Sequence, residues 1–172
     1  MYRYQFKYAA GVLFFAIKNN KIYTLLGEDQ YGTYSDFGGR CESYDFNEAE
    51  TAARECYEET CGVVDSYVNL KKKCQESVTV RSETFYKKPY YMFLTFIQFD
   101  ESLPIQFQRG KFIIDSLNDL ASFKEKQRIK WILWEDVVKG NVTLRNMFKA
   151  TLQRNSKSIE DALKIALFNK NT

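Results

Sequence analysis

Three glutamates near the end of the first third of the chain have the type and spacing of metal ligands. If their segment is helical, Glu55, Glu58 and Glu59 lie within roughly one 100° arc and share one helix face. Because like charges at this spacing repel one another, a helix with a purely structural role seldom carries all three. A hard divalent cation such as Mg²⁺ or Mn²⁺ removes this repulsion, since it takes oxygen ligands. The spacing therefore predicts a divalent-metal site.

The residues around the glutamates indicate how such a site is positioned. Gly38 and Gly39 allow the backbone to approach a phosphate or a metal closely. Asp45 or Asn47 can cap the start of the helix, and Gly62 ends it. The opposite helix face carries small residues at i, i+3, i+4 and i+7 spacing, which predicts close packing against a sheet. These small residues are Ala49, Ala52, Ala53, Cys56 and Thr60.

The composition excludes several other kinds of site. The chain contains no histidine and no GxxxxGK[ST] phosphate loop. Ser-His-Asp triads, Cys-His pairs and histidine-ligated metals are therefore excluded. Acid–base chemistry must come from carboxylates, Lys, Tyr, Cys or metal-bound water. The four cysteines are irregularly spaced, which argues against a zinc site.

Length and charge bound the class of protein. A chain of 172 residues that is 45% hydrophobic predicts one globular domain over 1–172. The net charge of +3 is too small to demand a nucleic-acid partner. No apolar run approaches the roughly 18 residues of a transmembrane helix, and no signal peptide is recognisable. We therefore expect a cytoplasmic protein with reduced thiols and no membrane partner.

The remaining periodicity predicts the elements that position the glutamates. Strands are expected at 8–18, 22–26, 90–99 and 129–133, with further strand material in 63–80 interrupted by a lysine turn at 71–73. We expect loops at 27–35 and 100–110, a short helix within 111–123, another at 135–140, and amphipathic helices at 141–155 and 156–169. This order predicts an α/β or α+β sandwich around a mixed sheet.

The segment 38–63 resembles the Nudix box, G-x5-E-x7-R-E-U-x-E-E-x-G-U, in which U is a bulky apolar residue. One extra residue precedes Arg54, so that Asp45 stands where the first Glu is expected, and Cys61 occupies the Gly position. A looser resemblance extends over about 8–140 and leaves a C-terminal helical extension, about 141–172, outside it. The matching residues are Gly39, Arg54, Glu55, Cys56, Glu58 and Glu59.

The resemblance implies a Nudix α/β/α sandwich that hydrolyses a nucleoside diphosphate linked to another moiety X, at a phosphoanhydride bond. Water would attack with the help of Mg²⁺ or Mn²⁺. The implied metal ligands are Glu55, Glu58, Glu59 and the Gly39 carbonyl, with Arg54 orienting the carboxylates. The catalytic set is Glu58, Glu59, Arg54 and Glu125. Glu125 is the candidate base in a late loop, although an exposed loop charge is an equal interpretation; Glu59, Glu76 and Glu83 are alternatives.

The identity of X and the oligomeric state stay open at this stage. Tyr34 either stacks on a base or packs over the sheet edge. Lys124, Lys126 and Arg128 are candidate substrate-binding residues. Together with Lys130, Arg145, Lys149, Arg154 and Lys157 they either grip a polyanion or form a solvated face. Capped mRNA, an inositol pyrophosphate and a dinucleotide polyphosphate are all compatible. A non-catalytic nucleotide-sensing module is the alternative from another class.

Overall fold

One mixed β-sheet forms the centre of the computed structural model, which describes residues 6–117 and 120–171. Strand order is β3-β2-β1-β6-β5, with β4 paired to β1 and β7 paired to β2. Strands β1 and β6 run parallel, and the other pairs are antiparallel. The strands are β1 Ala9–Lys18, β2 Lys21–Glu28, β3 Tyr34–Ser35, β4 Phe37–Arg40, β5 Val78–Glu83, β6 Pro89–Phe96 and β7 Arg128–Leu133.

Helices cover both faces of this sheet. Because side chains alternate along a strand, the odd and even positions of β1 enter two separate apolar clusters. The even positions pack with residues of α1, α2 and α3, and the odd positions pack with residues of α4, α5 and α6. The predicted α/β/α sandwich is thereby confirmed. The helices are α1 Glu48–Glu59, α2 Tyr67–Glu76, α3 Leu103–Asp115, α4 Trp134–Lys139, α5 Asn146–Arg154 and α6 Ser156–Asn171.

Two predicted elements are wrong, and both errors have a local physical cause. The lysine run 71–73 is not a turn between strands but part of α2, because Ser66 caps that helix and Leu70 and Cys74 bury its inner face. The loop expected at 100–110 contains most of α3. Its Pro104 lies in the first helical turn, where a missing N–H breaks no helical hydrogen bond. Residues 118 and 119 of the short helix expected within 111–123 lie outside the described residues.

Other sequence predictions are confirmed. Asn47 is the N-cap of α1, and its side-chain oxygen accepts a hydrogen bond from the Glu50 N–H at 3.0 Å. Gly140 ends α4 in the left-handed region at φ +78°. None of the described helices is long and apolar enough to cross a membrane.

Strands β1 and β4 approach each other through a glycine pair. Gly11 lies opposite Gly38, and a Cβ built on Gly11 would meet the Phe37 carbonyl oxygen at 2.7 Å and the Gly38 Cα at 2.9 Å. Since β4 contains Gly38 and Gly39 of the predicted site, this close approach fixes where that backbone lies. A side chain at either position would push β4 away from the sheet.

Gly11→Ala is expected to lower the free energy of unfolding by about 1–3 kcal/mol through this overpacking. The measurement is urea-induced unfolding followed by circular dichroism. Gly110→Ala is the matched control. It lies inside α3, where an added Cβ would meet its nearest neighbouring atom at 3.5 Å, so it should leave stability unchanged or raise it slightly. Equal stability of Gly11→Ala and wild type would contradict the close approach.

Candidate functional site

A cleft of about 560 Å³ opens above the C-terminal half of α1 and the end of β4. It contains the glycine pair, Arg54, Glu55, Glu58 and the loop residue Glu125. The structure therefore brings together residues from distant parts of the chain. The other cleft residues of note are Arg40, Tyr44, Phe85, Tyr86, Tyr90 and Arg145.

The guanidinium of Arg54 organises the carboxylates of this cleft. Its Nη1 donates to Glu55 Oε1 at 3.0 Å and lies 3.5 Å from Glu58 Oε2. Its Nε and Nη2 donate to the two oxygens of Asp45 at 3.1 and 2.9 Å. Nη2 also donates to the Arg40 carbonyl at 2.8 Å. A bidentate pair of this kind fixes the plane of the guanidinium, and thereby the position of both glutamates.

Asp45 is the buried carboxylate partner of Arg54. Its side chain is 3% exposed and also accepts hydrogen bonds from the Thr51 hydroxyl and the Glu42 N–H, each at 2.9 Å. Burial acts to raise the pKa of Asp45, but the hydrogen bonds from Arg54 and its neighbours lower that pKa below its ordinary value. Asp45 is therefore an anionic support for Arg54 from the position where the first Glu of the box is expected.

Glu55 lies directly against the backbone of Gly39. A Cβ on Gly39 would approach the carboxyl atoms of Glu55 to 2.5 Å, so a side chain there would displace this carboxylate. Burial raises the pKa of Glu55 to about 7; Arg54 opposes the rise, and the charges of Glu58 and Glu125 add to it. Several carboxylates thus act on one another in a small volume around a single guanidinium.

Glu59 lies beneath the cleft in a buried pair with Lys126. Its side chain is 2% exposed, accepts a hydrogen bond from the Gly38 N–H at 2.8 Å, and lies 3.5 Å from Lys126 Nζ. Lys126 Nζ also donates to Ser35 Oγ at 2.7 Å and to the Asp36 carbonyl at 3.2 Å. Burial raises the pKa of Glu59 to about 8, although Lys126 acts in the opposite direction.

The donor set of the cleft suits a hard divalent cation. Carboxylate oxygens of Glu55 and Glu58 face the same space as the Gly39 backbone, and Glu59 lies beside that backbone at Gly38. No three described His, Cys, Asp or Glu side chains converge as a preformed cage, because Glu55 and Glu58 turn towards Arg54. A cation would have to compete with that guanidinium for the same oxygens.

Several predicted substrate-binding residues lie outside the cleft. Lys124 Nζ donates to the Leu117 carbonyl at 2.6 Å, and Lys126 is buried with Glu59. Tyr34 and Arg128 do not line the cleft either. The Tyr34 hydroxyl donates to Glu28 at 2.9 Å, and Arg128 Nε lies 2.8 Å from the same carboxylate. Glu125 does reach the cleft, immediately after the 3₁₀ turn Ala121–Lys124. The alternative bases Glu76 and Glu83 do not line it.

Sequence reasoning did not find the aromatic rim of the cleft, and it placed Arg145 only within a general set of basic residues. Tyr44, Phe85 and Tyr86 line the cleft with largely exposed rings. Arg145 enters it from the segment that the resemblance leaves out. The available sequence signal for the rim was the adjacent pair Phe85-Tyr86, because two aromatic residues within a polar segment are unlike a buried strand or helix face.

Comparison with known proteins identifies the fold. No family model and no curated protein matches the sequence. A solved structure of the C. elegans Ap4A hydrolase is 19% identical, over 89% of this chain and 98% of that chain, with a TM-score of 0.56. The NUDIX domain of Shewanella oneidensis NrtR, complexed with ADP ribose, is 13% identical over 91% and 88%, with a TM-score of 0.54.

A third solved structure comes from Francisella tularensis. It is a bifunctional NMN adenylyltransferase/ADP ribose pyrophosphatase complexed with AMP and a Mn ion, 16% identical over 92% of this chain and 43% of that chain, with a TM-score of 0.52. These likenesses show that the chain has the Nudix fold. The predicted fold class is confirmed.

The raised pKa values of Glu55 and Glu59 predict that the metal-free protein loses stability as pH rises. Glu ordinarily titrates near 4.5, so between about pH 5 and pH 8 the folded state holds protons that the unfolded state has released. Each group then lowers the free energy of unfolding by about 1.4 kcal/mol per pH unit within its window. Urea unfolding in a chelator across this range measures the slope.

Glu55→Gln removes one of the groups with a raised pKa and should flatten the slope. Adding Mg²⁺ at the upper end of the range should restore stability in wild type, because the cation binds the ionised carboxylates. Metal-free stability that rises from pH 5 to pH 8 would contradict the carboxylate cluster.

Proposed function

We propose that this protein is a metal-dependent Nudix hydrolase that cleaves a phosphoanhydride bond in a nucleotide-type substrate. The observation that carries the proposal is the set of carboxylates held on Arg54 at the edge of an open cleft in a Nudix fold. Carboxyl groups this close together raise the pKa of one another, so a role in packing alone does not account for them.

The proposed ligands of Mg²⁺ or Mn²⁺ are Glu55, Glu58, Glu59 and the Gly39 carbonyl. When bound, the ion neutralises the diphosphate and makes its phosphorus susceptible to attack by water. The described chain contributes Arg54 as the group that positions Glu55 and Glu58, and Gly38 as the N–H donor that positions Glu59. The lack of a Cβ at Gly39 leaves room for Glu55 beside the backbone.

Glu125 is the proposed base. It lies in the cleft close enough to raise the pKa of Glu55 and Glu59 by its charge, and it makes no ion pair with a described residue. A carboxylate in that place can accept the proton of the attacking water while Arg54 keeps the other carboxylates in position.

A small nucleotide is the favoured substrate, ahead of capped RNA. Lys124, Arg128, Lys149 and Arg154, which would have to grip an RNA backbone, do not line the cleft. The Ap4A and ADP ribose named for the similar structures are compatible substrate classes.

The test is separation of the products by chromatography after incubation with Mg²⁺ or Mn²⁺ of Ap4A, ADP-ribose, oxidised NTPs, inositol pyrophosphates and capped RNA. We expect metal-dependent turnover of at least one nucleotide, and Glu58→Gln should lower kcat by about two orders of magnitude or more. Glu83→Gln is the matched control, since Glu83 is exposed on β5 away from the cleft. It should match wild type.

Absence of turnover on the whole panel with either metal would overturn the proposed hydrolase activity and favour a non-catalytic nucleotide-sensing module. That module would still bind nucleotide in calorimetry. Equal loss of kcat in Glu58→Gln and Glu83→Gln would instead place the effect of the first substitution outside the cleft.

Glu125→Gln is expected to reduce kcat by about 10²–10⁴-fold, because a general base contributes on that scale. The pH–rate profile should also change in this variant, because a proton acceptor of the reaction is removed, while Mn²⁺ affinity measured by calorimetry changes little. An unchanged pH–rate profile would return Glu125 to the interpretation as an exposed loop charge.

A further inference from the structure

Two neighbouring residues of the loop before β7 lie in opposite environments. Glu125 is exposed and lines the cleft, whereas the next residue, Lys126, is 2% exposed and does not line it. Because one planar peptide unit joins the two residues, the place of the Lys126 side chain restricts where Glu125 can lie. The contacts of Lys126 therefore bear on the position of the proposed base.

The Lys126 ammonium has an oxygen partner for each of its three N–H groups. Its Nζ donates to Ser35 Oγ at 2.7 Å and to the Asp36 carbonyl at 3.2 Å, and lies 3.5 Å from Glu59 Oε1. Ser35 belongs to β3, Asp36 precedes β4, and Glu59 is the last residue of α1. The ammonium is thus held by the sheet and by the carboxylate helix together.

The aliphatic part of the Lys126 side chain lies against Gly27 of β2. A Cβ built on Gly27 would meet Lys126 Cδ at 2.7 Å, Lys126 Cε at 2.9 Å and the Phe37 ring at 2.9 Å. The missing side chain of Gly27 therefore leaves the space that the lysine occupies. Since Gly27 pairs with Ser35 of β3 and with Ile129 of β7, this space belongs to the sheet itself.

The chain after Lys126 joins the sheet immediately. The Gln127 N–H donates to the Glu28 carbonyl at 2.7 Å, and β7 begins at the following residue. Before Lys126, Glu125 directly follows a 3₁₀ turn. Lys126 is therefore the point at which the loop that carries Glu125 is attached to the sheet.

A packing role alone does not account for a lysine at this position. Burying an ammonium group is costly, and an unbranched apolar side chain would fill the same space without that cost. What the ammonium adds is direction, because its hydrogen bonds fix the side chain where apolar contacts would let it shift. A fixed side chain matters most beside a residue whose own position must be exact.

We propose that Lys126 is a positioning residue of the hydrolase, which holds Glu125 at the carboxylate cluster through its buried contacts on the other side of the loop. This inference rests on the proposed function, in which Glu125 accepts the proton of the attacking water. Lys126 itself does not line the cleft, so it acts on the rate only through the groups that it holds. A displacement of about 1 Å in such a site can cost about 10²-fold in rate.

The test is a double-mutant cycle between Lys126→Met and Glu125→Gln, with kcat and KM measured at saturating Mn²⁺ for each variant. Methionine keeps the unbranched shape and removes the ammonium. Lys126→Met should lower kcat by about 10²-fold and change KM less than about twofold, because the base moves and the cleft lining stays. In the Glu125→Gln background the same substitution should lower kcat less than about twofold, since the group it positions is already gone.

Ser35→Ala is a milder variant that keeps the pair of Lys126 and Glu59, and it serves where Lys126→Met does not fold. It removes the acceptor 2.7 Å from Lys126 Nζ and should lower kcat by about threefold to tenfold with KM unchanged, the scale of one hydrogen bond. Ser82→Ala is the matched control. Ser82 Oγ shares a buried 2.7 Å hydrogen bond with the Thr151 hydroxyl and does not line the cleft, so this variant should keep the wild-type kcat.

Hydrogen exchange followed by mass spectrometry provides a second readout that needs no turnover. Peptides that cover 121–128 should exchange faster in Lys126→Met and in Ser35→Ala than in wild type, because the loop is released from the sheet. In Ser82→Ala they should exchange at the wild-type rate. Wild-type exchange in all three variants would contradict the attachment of the loop by Lys126.

The possible failures are distinguishable. Absence of turnover by wild type on the whole panel overturns the proposed function, and this inference with it. Turnover by wild type with an unchanged kcat in Lys126→Met, or with the same loss in both backgrounds of the cycle, overturns this inference alone. If Lys126→Met does not fold, a kcat of Ser35→Ala equal to that of Ser82→Ala overturns it.

Discussion

The contact between Arg54 and Asp45 is the interaction on which the cleft depends. Two parallel hydrogen bonds fix the guanidinium, and its remaining N–H groups then hold Glu55 and the carbonyl of Arg40. Without this cation, neighbouring carboxylates on one helical turn would repel one another and rotate apart into solvent. Because Asp45 is nearly inaccessible, solvent screens the pair little. The acidic face of α1 can therefore exist before any metal binds.

A second layer of buried polar groups supports the cleft from below. Glu59 joins the N–H of Gly38 to Lys126, and Lys126 in turn contacts the segment that leads into β4. Buried charges are tolerated only when they are paired and hydrogen-bonded, and each member of this layer meets that condition. The layer connects α1, β4 and the loop before β7, which are the three elements that must keep a fixed spacing around the site.

The helix face that carries the carboxylates could be predicted from local sequence, whereas the other residues of the cleft could not. Asn47, Glu55 and Glu58 behave as their helical spacing indicates, because a helix places i+3 and i+4 positions together whatever surrounds it. Lys126 illustrates the opposite case. It belongs to a charged run that is typical of a solvated loop, yet it is one of the least exposed lysines because Glu59, far earlier in the chain, supplies a buried partner. No local pattern carries that information.

Sequence alone determined the fold class, the carboxylate helix face and the absence of histidine chemistry, because these follow from residue type and short-range periodicity. The extra residue before Arg54 is also accommodated, as expected for a loop, since Asp45 still reaches the guanidinium. Tertiary structure decided which distant residues share the cleft. Glu125 arrives after a 3₁₀ turn, the Phe85–Tyr86 rim through a hairpin, and Arg145 through a bridge to β3. Contacts between residues this far apart in the chain depend on strand pairing and on the packing of whole elements, which sequence spacing does not encode.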